Sequence, residues 1–327
     1  MRKILTVIFV LALSTGSFPQ YYKWEWQNPE LNGNDINDVI LPGAGNVLAF
    51  GNAGVSQVSV NGGLTWSIAY IDSFKRDIMG AYSIDNSSIV ICGRAGLLMK
   101  TTNGGGSWEY LNSGTPEDLY DVEFVDADTG YAVGSKGTIL KTKDGGNSWA
   151  SSTYGASNIY KVRAVNATNI FIGVSSTTER ILKSIDYGSS WVNITPGNIT
   201  PVTTSTSSVY AICFLDAKIG FFGTANGNIF KTTDSGTVWT KKTNFVVGAV
   251  RDIEFISTAE GYAVDDQGNI LITTDAGETW TERKVPLQKF YAVSCDSSAV
   301  YCAGVAAGIY KSTDKGVSWS PLMNYTT

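Results

Sequence analysis

The sequence predicts an all-β repeat fold, a β-propeller assembled from four-stranded blades. The first observation behind this is a short phrase that occurs seven times, with its tryptophans at Trp66, Trp108, Trp149, Trp191, Trp239, Trp280 and Trp319. The second is their spacing of 42, 41, 42, 48, 41 and 39 residues, since a period near 40 with a Trp in each unit marks such an array. The third is composition: Gly (35), Tyr (16) and Phe (13) are abundant, charged residues are 16% of 327, and no long stretch keeps a helical apolar period. The units fill the chain from about residue 35 onward, so one domain is expected over residues 20–327.

The amino terminus stands outside the repeat. Arg2 and Lys3 precede an apolar run at 4–13 and a small polar stretch at 14–17, the outline of a secretory signal peptide over residues 1–19. The apolar run is too short to span a bilayer, and no other segment is apolar enough to cross one. The expectation is a secreted, periplasmic or cell-surface protein without a transmembrane segment in the mature chain. Residues 21–27 then alternate aromatic with polar side chains (Tyr21, Tyr22, Trp24, Trp26). They are expected to add a strand to the last blade and so protect an open edge.

Blade three shows the grammar of a unit. Strands are expected over 119–125, 131–134 and 138–142, with a fourth opened by Trp149, separated by Gly- and Asp-rich turns. Four short antiparallel strands make one propeller blade. The repeated phrase falls at the turn between strands three and four. Its Asn61, Asn103, Asp144, Asp186, Asp234, Asp275 or Asp314 can accept bonds from backbone N–H groups of its own turn. The Gly two residues later suits a left-handed backbone, and the Trp packs between blades. Each turn offers a single carboxylate, against the six to eight oxygens a calcium ion takes, so the phrases read as structural and no metal is expected.

The phrase matches the Asp-box, or BNR repeat, S/T-x-D/N-x-G-x-S/T-W, with Val238 as the single departure. With the intervening text, such as residues 129–146, the chain resembles the photosystem II stability/assembly-factor family. That resemblance implies a seven-bladed β-propeller with one Asp-box per blade, in agreement with the seven phrases. It also implies that the first strand of each blade lines a central channel and begins at the top face. Aligned there, the repeats place Asn37, Arg76, Tyr120, Tyr160, Tyr210, Arg251 and Tyr291 on one rim, and Asp38, Asp77, Asp121, Lys161, Ala211, Asp252 and Ala292 next to them. Tyr and Arg at such positions equip an interaction surface or, alternatively, pack and pair among themselves. Longer insertions are expected at 198–208 and 151–157.

Charge and chemistry narrow the function. The formal charge of −5 becomes −7 after loss of Arg2 and Lys3, and no basic stripe is present, which argues against nucleic acid. Histidine is absent, which excludes His-based triads and His-ligated metals. No Gly-rich loop opens a helix, so no cofactor is expected. Sialidases also carry Asp-boxes, and Arg76, Arg163 and Arg251 with Glu123 and Glu254 recur near first strands. Those residues look like a feature of the repeat, and the match to sialidase chemistry fails. The reading is a secreted, non-catalytic propeller that binds a protein partner or envelope complex. The alternative is a carbohydrate-binding or glycosidase-like surface propeller with a glycan ligand. Cys295 and Cys302 fall on adjacent strands, close enough for a disulfide or for two buried thiols.

Overall fold

The structure, a computed structural model, describes residues 33–43, 45–166, 168–176, 180–195, 208–242, 248–286 and 289–322. These form seven four-stranded antiparallel sheets, each from four consecutive strands. Strands in blade three run Leu119–Phe124, Gly130–Gly134, Thr138–Thr142 and Ala150–Thr153. The sequence reading therefore holds to within a residue, the last strand starting just after Trp149. The expected signal segment 1–19, the strand at 21–27 and nearly all of the 198–208 insertion lie outside the described residues. The other expected insertion, 151–157, is in its first half the outer strand of blade three.

The core is divided into seven clusters, one in each gap between neighbouring blades. Trp108, for instance, belongs with Leu48 and Phe50 of blade one and Ile89, Ile91 and Met99 of blade two. Trp239 packs with Phe171, Phe222 and Phe230 between blades four and five, at 2% exposure. Strands buried on both faces read as continuous apolar runs, and Ile89–Gly93 and Gly220–Thr224 are buried throughout. The seventh cluster joins the ends of the described chain: Ile36, Val47 and Trp66 of blade one meet Ala292, Tyr301 and Ile309 of blade seven. The ring is thereby closed by packing among the described residues.

Hydrogen bonds repeat the same closure. At the turn between strands two and three of blades one, two, three and seven, Ala53, Ala95, Lys136 and Ala306 adopt a left-handed backbone. Their N–H groups donate to Asp77, Asp118, Asn158 and Asp35 of the next blade, the last of these running from blade seven to blade one. No helix among the described residues is long and apolar enough to cross a membrane.

Candidate functional site

The first strands begin at Ile36, Ile78, Leu119, Ile159, Val209, Val250 and Phe290. In each, the register against strand two slips between the first and third residues. That is a β-bulge, which leaves an extra residue unpaired and re-aims side chains. Two consecutive residues of every first strand are thus presented toward the channel. The outer of the two is Asn37, Met79, Tyr120, Tyr160, Tyr210, Arg251 or Tyr291, all partly exposed. Blade two is therefore a correction to the sequence alignment. Met79 occupies the rim position there, and Gly80 the next one, because Arg76 and Asp77 precede the strand.

Arg76 is instead held in the linker. Its Nη2 and Nε donate to Asp72 at 2.9 and 3.1 Å, and its guanidinium lies 5.2 Å from the Phe74 ring and 5.7 Å from Tyr110. Burial works against the Asp72 carboxylate, yet the Arg76 and Tyr110 bonds hold it at about 2.

The other rim residues come together. Tyr120 and Tyr160 have ring centroids 5.2 Å apart, and Tyr160 and Tyr210 4.9 Å. Arg251 caps this row, 4.5 Å over the Tyr210 ring, with Nη2 donating to Asp266 at 2.9 Å. Tyr291 follows in blade seven, near Asp35, Arg251 and Asp266. An aromatic arc with one guanidinium thus spans blades three to seven. Opposite it stands Asn37, whose side-chain amide donates to the Ile78 carbonyl of the next blade at 2.8 Å.

Below the arc the channel is filled with charge. Lys161 of blade four lies 3.4 Å from Asp121 of blade three and 3.7 Å from Asp252 of blade six. It reaches past blade five, which carries only Ala211 at this level. Asp38, Asp121 and Asp252 also stitch neighbours together, accepting the N–H of Ala81, Val162 and Val293 at 2.8, 2.9 and 3.1 Å. One level deeper, Arg163 binds both oxygens of Glu123 at 3.1 Å, and that carboxylate pushes the guanidinium well above its ordinary value. Burial, with neighbouring carboxylates, pushes Asp38 up to about 7 and Glu254 to about 8. Burial opposes the charge on Lys161, but Asp121, Asp252 and Asp38 raise its pKa above the ordinary range.

The repeated turns occupy the other end of the blades. In blade three, Asp144 accepts from the N–H of Ser148 at 2.9 Å and from Thr142 Oγ1 at 2.8 Å, and Thr142 in turn accepts the N–H of Gly146 at 2.9 Å. The Ser148 bonds hold Asp144 at about 2. Its carboxylate is engaged by three bonds from its own turn. The residue before the Gly is left-handed as well, even where it is Tyr187, Ser235, Ala276 or Lys315. The carbonyl of that residue receives a lysine from the preceding blade: Lys100 to Gly145, Lys183 to Ser235, Lys231 to Ala276, and Lys311 to Gly62 across the closing seam, at 2.7, 3.3, 2.6 and 2.8 Å. Sequence reasoning missed these stitches, although the recurrent Lys-Thr or Lys-Ser pair ending strand three could have signalled them. In blade six that lysine is replaced by Ile272, and a cavity of about 190 Å³ opens beside it, lined also by Thr279, Lys315 and Gly316.

Hydrolytic machinery is not assembled by this arrangement. Arg76 and Arg251 are committed to Asp72 and Asp266, away from Arg163, so the three arginines considered for a sialidase-like site do not converge. Among the described residues no group of three or more Cys, Asp and Glu side chains is placed to hold a metal ion. All four cysteines are free thiols. Cys295 pairs with Val300 and Cys302 with Val293, so the two sulfurs lie on diagonal positions of the sheet.

Residues 107–254 and 246–325 match the model of the family described as photosynthesis system II assembly factor YCF48. Among solved structures, one described as YCF48 bound to D1 peptide superposes with a TM-score of 0.66 at 18% identity, over 89% of this chain and 96% of that one. YCF48 from Cyanidioschyzon merolae gives 0.67 at 16% identity, over 86% and 97%. A GH74 xyloglucanase from Xanthomonas campestris gives 0.67 at 13% identity, over 90% of this chain and 54% of that one. No curated protein matches the chain. At such identities the solved structures testify to the fold alone.

Proposed function

The chain belongs to the photosynthesis system II assembly factor YCF48 family, and from that premise we propose a secreted, non-catalytic propeller that binds a protein partner and assists assembly of an envelope or surface complex. The observation that carries this reading is the aromatic arc. Tyr120, Tyr160, Tyr210, Arg251 and Tyr291 form one partly exposed row at a channel mouth. Tyr and Arg in such a row supply large contact area and a rigid donor fork at low entropic cost. A peptide ligand is consistent with the solved structure described as YCF48 bound to D1 peptide. Delivery to the envelope rests on the basic and apolar pattern of residues 1–17.

The test is crosslinking in the native envelope followed by recovery of the chain. A Tyr160→Ala, Arg251→Ala double variant is expected to lose its crosslinked partner while its melting curve stays near that of the parent. Undiminished recovery would remove the rim from consideration. A glycan is the second reading, favoured by the tyrosine faces, which suit a sugar ring as well as a side chain. Binding on a glycan array that is lost in the same variant would establish it in place of the first.

A further inference from the structure

We propose that this mouth recognises positive charge: an arginine or lysine side chain of a protein partner, seated on the open tyrosine faces between carboxylates. The inference rests on the rim reading above and names the chemistry of its ligand.

The chain already carries an example of the contact. The guanidinium of Arg251 lies 4.5 Å over Tyr210 and is held from the side by Asp266 at 2.9 Å. A cation over a tyrosine face is attracted by the negative face of the ring. Tyr120, Tyr160 and Tyr291 continue the row, and among the described residues no cation stacks on them. Carboxylates flank each end: Glu117 and Asp118 lie near Tyr120, and Asp35 and Asp266 near Tyr291. Tyrosine rings and carboxylates thus recur along the arc, while the cations nearby (Arg94 at Tyr120, Arg251 at Tyr291) are held by carboxylates and stack on neither ring.

Charge balance favours the same ligand. Inside the channel, among the described residues, Asp38, Asp121, Glu123, Asp252 and Glu254 outnumber Lys161 and Arg163, even with Glu254 protonated and Asp38 half-protonated near pH 7. At the surrounding loops Arg94 is shared by Asp77 and Asp118, Lys136 is bound to Glu117, and Arg251 to Asp266. An anionic partner would have to compete with these carboxylates for cations already paired, and among the described residues around the mouth Lys289, at the start of the last blade, is the exception. A cationic partner meets an excess of carboxylates and partly exposed tyrosine rings. Walls of low dielectric focus the field of that charge toward the mouth.

The experiment uses four fluorescein-labelled hexapeptides with one sequence, in which two central positions are Arg, Lys, citrulline or Glu. Affinity is read by anisotropy with the purified mature chain at low and at moderate salt. The Arg peptide is expected to bind, the citrulline peptide to bind at least about tenfold more weakly, and the Glu peptide weakest of all. Tyr160→Ala should weaken Arg-peptide binding roughly fivefold, the worth of one modest cation–π contact. Tyr120→Ala serves the same purpose should the first variant fail to fold, and Tyr187→Ala on the turn face should change nothing. Equal binding of Arg and citrulline peptides, stronger binding of the Glu peptide, Arg binding indifferent to both rim variants, or no binding by any peptide would each overturn the proposal. The rim reading itself survives those results if the crosslinked partner is still lost in Tyr160→Ala, Arg251→Ala. If that partner is retained, both fall.

Discussion

At the turn end of the propeller, Asp144 in blade three and Asp314 in blade seven make the same bonds: each accepts a Ser N–H at 2.9 Å and a hydroxyl at 2.8 Å. At the channel mouth the corresponding positions hold Asn37, Met79, Tyr120, Tyr160, Tyr210, Arg251 and Tyr291. The difference has a physical origin. A tight turn between strands must satisfy its own N–H groups locally, so one solution recurs in every blade. A rim side chain is anchored by the bulge behind it, and its far end answers to whatever lies across the channel. Repetition at one end therefore reports folding, and variation at the other is where binding chemistry has room to reside.

The sharpest way to break that division is to exchange large for small at both ends. Trp239→Ala, in the cluster between blades four and five, is expected to cost about 3–5 kcal/mol, the usual loss for a buried Trp. Tyr160→Ala, partly exposed at the rim, should cost roughly 1 kcal/mol or less. Urea unfolding of the two variants measures both. A rim substitution as costly as the core one would mean that the arc is scaffold, and the distinction drawn above would fail.

Acidity separates the two ends next. The turn carboxylates Asp144, Asp186, Asp275 and Asp314 are held at about 2 by hydrogen bonds. Their contribution is present above their unfolded value near 4 and is lost as pH falls from about 4 toward 2. Asp38 and Glu254 are raised, so the folded chain holds protons there that the unfolded chain has released. Their effect runs the other way: stability falls as pH rises from about 4, where the unfolded groups ionise, toward 7 to 8, and levels off above that. Asp38 is faced by Lys161, Asp121 and Asp252 from three other blades. Asp38→Asn keeps an oxygen for the Ala81 N–H and removes the titration. It should flatten the loss between pH 5 and 7, by up to about 1.4 kcal/mol per pH unit for one proton, and leave the limb below pH 4 unchanged. Melting temperatures across that range decide it, and an unaltered slope would show that Asp38 is already charged at pH 7.

How far these two ends were legible in the sequence follows the same logic. The seven turns could be counted because each phrase closes its own hydrogen bonds within a few residues. Strand boundaries followed, as at Thr138–Thr142, which matches the expected limits. The place of these residues on their first strands was legible except in blade two, where Asp77 before Ile78 imitates the Asp-apolar pair of Asp121 and Val122 and draws the alignment off by several residues. The bulge that fixes the true position is set by pairing with strand two, which a one-dimensional alignment does not see. The salt link of Lys161 with Asp252 was illegible for a related reason. It joins blades that are not neighbours and depends on Ala211 leaving space between them.

The smallest expected effect concerns the seam, where the repeated end must also hold the ring shut. Lys311 of blade seven donates to Gly62 of blade one at 2.8 Å and lies 5.4 Å from the Tyr301 ring. Lys100 makes the same bond to Gly145 within the array, at 2.7 Å. Each contact exchanges one charge-assisted bond for water, so Lys311→Met and Lys100→Met should both cost about 1 kcal/mol at equilibrium. They should differ in rate. Blades two and three remain tied by the continuous chain when Lys100 is lost, whereas blades seven and one meet among the described residues through side-chain packing and hydrogen bonds, including those of the Ala306 and Ala307 N–H groups to Asp35 and Asn34. If unfolding begins by opening the seam, Lys311→Met speeds unfolding by roughly the full fivefold that 1 kcal/mol allows, and Lys100→Met by less. Equal unfolding rates would show that the seam is no weaker than any other gap between blades, and that closure is as repetitive as the turns themselves.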